Sequence, residues 1–161
     1  MAVSGVDISE LFEKVNGLLC ENNNMNMFVT VWLGVLDLKT GIMKYINAGH
    51  TQPLICHNRE WHYMTGSPDF VLGGMDDIHF NVRELSFERG DVIVLYTDGV
   101  TEAQDARYTL FGEERLMNAV SNLDDIKPRT ICETINKKLD PFVGDSPQMD
   151  DITLLALSIE R

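Results

Sequence analysis

Five consecutive apolar residues, Val92–Tyr96, stand between an Arg89-Gly90-Asp91 turn and the sequence Thr97-Asp98-Gly99. Side chains of a strand point alternately to opposite faces of a sheet, so an unbroken apolar run of strand length fits a strand covered on both faces. Such a strand needs packed material on each side, which calls for a layered fold. The 161 residues suffice for one domain with a sizeable core, and two independent domains would be cramped. The chain is therefore expected to form a single domain over residues 1–161.

The rest of the sequence supplies the layers. Residues 7–22 read as a helix, with Ile8, Leu11, Phe12, Val15, Leu18 and Leu19 at three- and four-residue spacing. Asp7 is placed to cap it, Glu10 follows three positions on, and Asn22-Asn23-Asn24 ends it. Met27–Leu36 and Ile42–Ile46 read as strands joined at Lys39-Thr40-Gly41, a hairpin. Leu54–His57 and Trp61–Met64 flank a turn at Asn58-Arg59. Residues 65–78, rich in glycine and acidic residues, form a long surface loop of the kind that borders sites. In strand 79–87, Phe80 and Val82 share one phase and Leu85 and Phe87 the other, which suggests a bulge. Helices are expected at about 112–122 and 128–142, the second carrying Ile131, Ile135, Leu139 and Phe142 on one face with Pro128 in its first turn. The last strand is Ile152–Ile159. One helix, about six strands, two helices and a strand make an α+β layout with a mainly antiparallel sheet, without βαβ alternation.

Charge and cysteine content narrow the function classes. A net charge of −12 disfavours nucleic acid and anionic lipid as partners. No apolar run is long enough to span a bilayer, and no basic region followed by an apolar block marks a signal peptide. Cys20, Cys56 and Cys132 are far apart and form no C-x-x-C pair, which argues against a zinc site and for a reducing, cytoplasmic setting. There is no phosphate-cradling glycine loop with a lysine, and no nucleophile elbow.

Two acidic points remain. Asp98 directly follows the apolar strand, and Asp150-Asp151 directly precede the last one. If these strands are antiparallel neighbours, the end of one lies beside the start of the other, and Asp98 and Asp150 meet at one sheet end. Close carboxylates repel unless a cation lies between them, and oxygen-only ligands favour hard ions such as Mg²⁺, Mn²⁺ or Ca²⁺. Taken singly, Asp-Gly after a strand is an ordinary turn, and Asp-Asp before one is an ordinary solvated turn or cap. Asn47-Ala48-Gly49-His50 follows another strand and is placed to line a cleft, although a lone histidine there is more often structural.

Taken together, the segments resemble a known family. Met27-Phe28-Val29-Thr30, Gly34-Val35-Leu36-Asp37 and Tyr45-Ile46-Asn47-Ala48-Gly49-His50 resemble the central hairpin of SpoIIE-like (PPM-type) metal-dependent serine/threonine protein phosphatases. Leu95-Tyr96-Thr97-Asp98-Gly99-Val100-Thr101-Glu102-Ala103 resembles the family's most specific motif, and Phe111-Gly112 and Gln148-Met149-Asp150-Asp151-Ile152-Thr153-Leu154 complete the order. The resemblance implies an α-β-β-α sandwich of two mainly antiparallel sheets flanked by helices. It also implies a binuclear Mn²⁺ or Mg²⁺ site, at which a water activated by the cations attacks phosphorus in line without a phosphoenzyme. Asp98, Gly99 and Asp150 match metal-ligand positions. Asp151, Thr153, Asn47 and His50 match polar positions around the ligands. Implied substrates are phosphoserine or phosphothreonine on STAS-type anti-sigma-factor antagonists, with an upstream sensory or receiver domain as regulator.

The family also carries a Gly-Asp-x-x-Gly-type segment, upstream of the helix matched by residues 7–22, whose aspartate bridges both metals. This chain begins after it, and Val3-Ser4-Gly5 is no substitute. The expectation is a chain that binds metal weakly, turns over slowly and exposes sheet edge or apolar helix face suited to homodimerisation. The competing expectation is a non-catalytic module on the same scaffold that binds a partner or itself.

Overall fold

The structure, a computed structural model, describes residues 7–21 and 23–160. Asn22 and the Val3-Ser4-Gly5 segment lie outside the described residues. The chain divides into two compact units, residues 1–50 with 66–87, and residues 51–65 with 88–161. Each contains one antiparallel sheet with helical structure, the expected α+β class.

In the N-terminal unit, α1 (Ile8–Cys20) starts at Asp7, whose Oδ1 accepts the Ser9 N–H at 2.9 Å. This satisfies one of the donors a helix start leaves open. Ile8 and Phe12 are buried, in a core with Ile46, Ala48, Leu72 and Phe80. The remainder of the expected stripe differs: Leu18 is 59% exposed, and Asn16 takes the inward position instead, at 1%. Asn16 lies four residues from Phe12, in line with the true stripe. Its Nδ2 donates to the Met75 carbonyl and its Oδ1 accepts the Gly73 N–H, each at 2.8 Å. A buried amide paired on both sides is tolerated, and this one fastens the 65–78 loop to α1.

The sheet of this unit runs β1 (Val31–Leu36), β2 (Ile42–Ala48), β5 (Arg83–Ser86), all antiparallel. At the hairpin, Asp37 Oδ1 accepts the Lys39 and Thr40 N–H groups, and Gly41 takes φ 78°. The expected strand 27–36 shrinks to β1, since Asn26 is left-handed and Val29 makes only an isolated bridge to Leu72. Strand 79–87 shrinks to β5, and no bulge is needed. Phe80 leaves the sheet register for the core, so the change of phase falls before the strand rather than within it. The loop is held again at Asp69, which takes a two-pronged contact from Arg83 at 3.0 Å on each arm. Burial pushes the Asp69 carboxyl up, but hydrogen bonds from Arg83 and Asn81 outweigh it and hold the group below the usual range.

The C-terminal unit has the sheet order β4 (Glu60–Tyr63), β3 (Leu54–His57), β6 (Val92–Tyr96), β7 (Leu154–Ser158), again antiparallel throughout. The apolar run is thus an interior strand, and Val92, Ile93 and Val94 are all within 1% of full burial. Against it pack Val100, Phe111, Leu116, Val120, Ile131, Ile135 and Leu139. Most of these come from α3 (Gly112–Ser121) and α4 (Pro128–Val143). Pro128 opens α4, where its missing N–H costs nothing. Gly144, at φ 56°, closes it by donating its N–H to the Asp140 carbonyl. The sequence reading omitted the one-turn helix α2 (Asp98–Thr101), directly after β6. Among the described residues, no helix is long and apolar enough to cross a membrane, and Cys20, Cys56 and Cys132 are free thiols.

Candidate metal centre

The pairing of β6 with β7 decides where the acidic residues fall. Tyr96 sits opposite Leu154, so the residues after Tyr96 and those before Leu154 leave the sheet at the same end. Thr97 ties them together. Its N–H donates to the Thr153 carbonyl at 3.1 Å, its hydroxyl donates to the Asp151 carbonyl at 2.8 Å, and that hydroxyl oxygen accepts the Thr153 N–H at 2.9 Å. One threonine thus extends the ladder past the last strand pair and fixes the Asp98 segment to the Asp150-Asp151 segment.

Gly99 shows why the motif reads Asp-Gly. Its φ is not positive, so no left-handed turn requires the glycine. A Cβ there would lie 2.4 Å from the Asp151 carbonyl oxygen and 3.4 Å from the Asp150 carbonyl carbon. The residue is glycine because the backbone 52 positions further on passes directly against it. That contact sets this Asp-Gly apart from the ordinary turn.

Asp98, Asp150 and Asp151 are exposed. Asp98 Oδ1 accepts the N–H of Gly99 at 3.1 Å, and Asp150 Oδ1 accepts the N–H of Asp151 at 2.7 Å. Gln148 Nε2 donates to the Asp150 carbonyl at 2.8 Å. Each of the two carboxylates therefore has one oxygen oriented by its own backbone. Neither takes part in an ion pair with a described lysine, arginine or histidine. The donors, two carboxylates and neighbouring carbonyls, fit the chemistry of a hard divalent cation, which takes six or more oxygen ligands. They do not fill such a shell, for among the described residues no group of three His, Cys, Asp or Glu is arranged to hold a metal ion.

Tyr96, the last residue of β6, and the neighbouring Tyr63 are also bonded. The Thr51 hydroxyl donates to the Tyr96 carbonyl, and the Tyr63 hydroxyl donates to the Glu113 carbonyl at 2.7 Å. Burial, with the Glu113 charge adding to it, pushes the Tyr96 phenol up to about 12, so it stays protonated at neutral pH.

Asn47 and His50 belong to the other unit and act there as a loop closure. Asn47 is buried; its Nδ2 donates to the His50 carbonyl at 3.0 Å and its Oδ1 accepts the His50 N–H at 2.8 Å. Between them Gly49 takes φ 73°, with Val71 Cγ1 2.4 Å from where a Cβ would be. The Asn47 amide is committed to holding this turn.

Sequence reasoning passed over Thr97, which stitches the site together, and a cavity beside it. The cavity, about 570 Å³, is lined by Gly99 and Asp150 together with residues of α4 and the 144–152 segment.

Residues 1–160 match the family described as Stage II sporulation protein E. Protein IcfG of Synechocystis is 33% identical over 137 residues, covering 85% of this chain and 22% of IcfG. Phosphoserine phosphatase RsbU of Bacillus subtilis is 26% identical over 102 residues, covering 63% of this chain and 30% of RsbU. This chain thus spans less than a third of the length of either relative. Among solved structures, the PP2C phosphatase domain of the cell fate determinant SpoIIE from Bacillus subtilis, solved with a fragment of its regulatory domain, superposes with a TM-score of 0.81 at 18% identity. That match covers 98% of this chain and 46% of the other, and it confirms the fold.

Proposed function

Because the chain belongs to the Stage II sporulation protein E family, we propose that it carries part of the catalytic centre of a metal-dependent phosphoserine/phosphothreonine protein phosphatase. The observation that carries the reading is the Thr97–Gly99 clamp, which holds the Asp98 and Asp150 segments at one sheet end, with neither carboxylate paired to a cation among the described residues. Asp98, Asp150 and the Gly99 carbonyl would hold Mn²⁺ or Mg²⁺. Bound there, a divalent ion would make a water acidic enough to act as nucleophile and would offset charge on the phosphoryl oxygens. The chain's own contribution is orientation: Thr97 fixes the two acidic segments, and Gly99 lets them touch. Asp151 and Thr153 then set the backbone from which Asp150 projects.

The substrate assigned by the motif resemblance is a phosphorylated STAS-type antagonist in sigma-factor regulation, in the cytoplasm, with a sensory or receiver domain as regulator. The likeness to RsbU, named a phosphoserine phosphatase, supports the reaction class. The test is manganese titration calorimetry with hydrolysis of a small phosphate ester, in the full-length protein. Asp98→Asn and Asp150→Asn should each weaken metal affinity by about tenfold or more and lower turnover. Unchanged metal affinity in both variants would overturn the reading.

The lack of a three-donor group among the described residues favours a second reading, a non-catalytic partner-binding module. It requires equal affinity for the phosphorylated and unphosphorylated partner, with no hydrolysis at saturating metal.

A further inference from the structure

The cavity beside the candidate metal centre has a composition of its own. Its volume of about 570 Å³ falls within the usual range for ligand pockets. Leu139, Val143 and Ile152 line it, and Leu139 is buried at 2% exposure. Glu102 and Asp140 also line it, and both are exposed. The lining therefore combines apolar side chains with exposed acidic ones. No lysine or arginine is among the lining residues, and neither Glu102 nor Asp140 forms an ion pair with a described residue. Among the described residues these two acidic side chains have no cationic partner.

A side chain with a methylene stem and a cationic head matches such a space. The stem covers apolar surface while the head reaches the carboxylates and water. An acidic side chain would be repelled, and a purely apolar one would leave the carboxylates unpaired, so the pocket discriminates by charge. The position decides what the side chain belongs to. Gly99 and Asp150 line this cavity and also belong to the candidate metal centre, so an occupant here sits one or a few residues from a group held there.

We propose that this cavity is a specificity subsite for a lysine or arginine side chain of the protein substrate, close in sequence to its phosphorylated residue. The proposal rests on the phosphatase reading for the identity of the neighbouring group, but the binding preference stands on the cavity alone.

The test uses fluorescence anisotropy in the full-length protein, first without metal. The probes are labelled unphosphorylated serine peptides that differ at one flanking position, carrying lysine, arginine, methionine or glutamate, with each of several flanking positions scanned. At one position or more, the lysine and arginine peptides should bind about tenfold tighter than the methionine peptide, and the glutamate peptide weakest. Added salt should narrow the lysine–methionine gap. The double variant Glu102→Gln, Asp140→Asn should remove most of the lysine–methionine gap, the exposed Asp150 carboxylate accounting for the remainder, and leave the methionine peptide unchanged. The single variants should each remove part of the gap, and thermal melts check folding. Equal binding of lysine and methionine peptides at every position overturns the subsite. So does a lysine preference that the double variant leaves undiminished, or absence of binding by all peptides. Manganese-dependent hydrolysis of a small phosphate ester, measured in parallel, separates the two ideas. Absent hydrolysis with a retained lysine preference sinks the phosphatase reading and keeps the subsite; hydrolysis without the preference does the reverse.

Discussion

Strand β6 has an aspartate just beyond each end, and the two ends of this one strand are built on opposite principles. Before it, Asp91 is 3% exposed and fully engaged. Its carboxylate meets His57 Nδ1 at 3.0 and 3.1 Å and accepts the Glu88 N–H at 2.7 Å, while its carbonyl accepts the Ile159 N–H. After it, Asp98 is exposed, its carboxylate accepts one local hydrogen bond, and the Gly99 that follows runs against the Asp150-Asp151 backbone. A buried carboxylate must be paired or it destabilises the fold. An exposed carboxylate with only a local hydrogen bond adds little folding energy, and its place beside a second acidic segment suits a group brought from solution. One end of the sheet is closed by its acid, and the other is held open with its acids.

Substitutions at the two ends should separate these roles. The largest loss of stability is expected from Asp91→Ala, which strands His57 and the Glu88 N–H. It should cost about 3 kcal/mol, read as a lower urea midpoint at unchanged slope. A cost below about 0.5 kcal/mol would show that the closed end is not closed by Asp91.

Next comes Gly99→Ala. The new methyl would meet the Asp151 carbonyl at 2.4 Å, which is backbone and has no rotamer to give. Parting of the 97–99 and 151–153 segments should cost about 2 kcal/mol and speed hydrogen exchange at the Thr153 amide, whose acceptor is the Thr97 hydroxyl. Stability and exchange at the wild-type level would remove the contact argument for the Asp-Gly motif. Smaller again is Asp98→Asn, with an effect on stability within about 0.5 kcal/mol either way in metal-free buffer. A loss near that of Asp91→Ala would make Asp98 a structural acid, and the contrast between the ends would collapse.

What the sequence revealed follows the same division. The interior strand, the β6–β7 adjacency and the arrival of the 97–99 and 150–153 segments at one sheet end were legible because they depend on local apolarity and on the geometry of antiparallel ends. The helix stripe was legible at Ile8 and Phe12 but misread at Leu18 and Asn16, because an asparagine bonded on both sides can replace an apolar residue and periodicity counts only apolar ones. The bulge in 79–87 was a reasonable inference from a phase change. It failed because Phe80 is held by the core and not by the ladder. The reason for Gly99, the stitching by Thr97 and the His57–Asp91 pair lay beyond sequence reasoning. Each depends on residues 34 to 56 positions apart whose types are common in any turn.

The smallest expected effect sharpens the comparison through pH. Hydrogen bonding to Asp91, and the charge of Asp91, raise His57 above its ordinary value. A group whose pKa is higher folded than unfolded binds protons more readily in the folded state, so it stabilises at low pH and ceases to do so as pH rises. The contribution is full below the unfolded value of about 6.5 and is lost as pH climbs through the raised folded value. His57 is partly exposed, so the effect is modest and screened by salt. The melting temperature of the wild type should exceed that of His57→Gln by the most near about pH 5.5, with the gap shrinking towards about pH 9. A gap for His57→Gln that widened with pH would mean that the imidazole is held neutral, and that Asp91 is kept in place by the Glu88 amide rather than by charge.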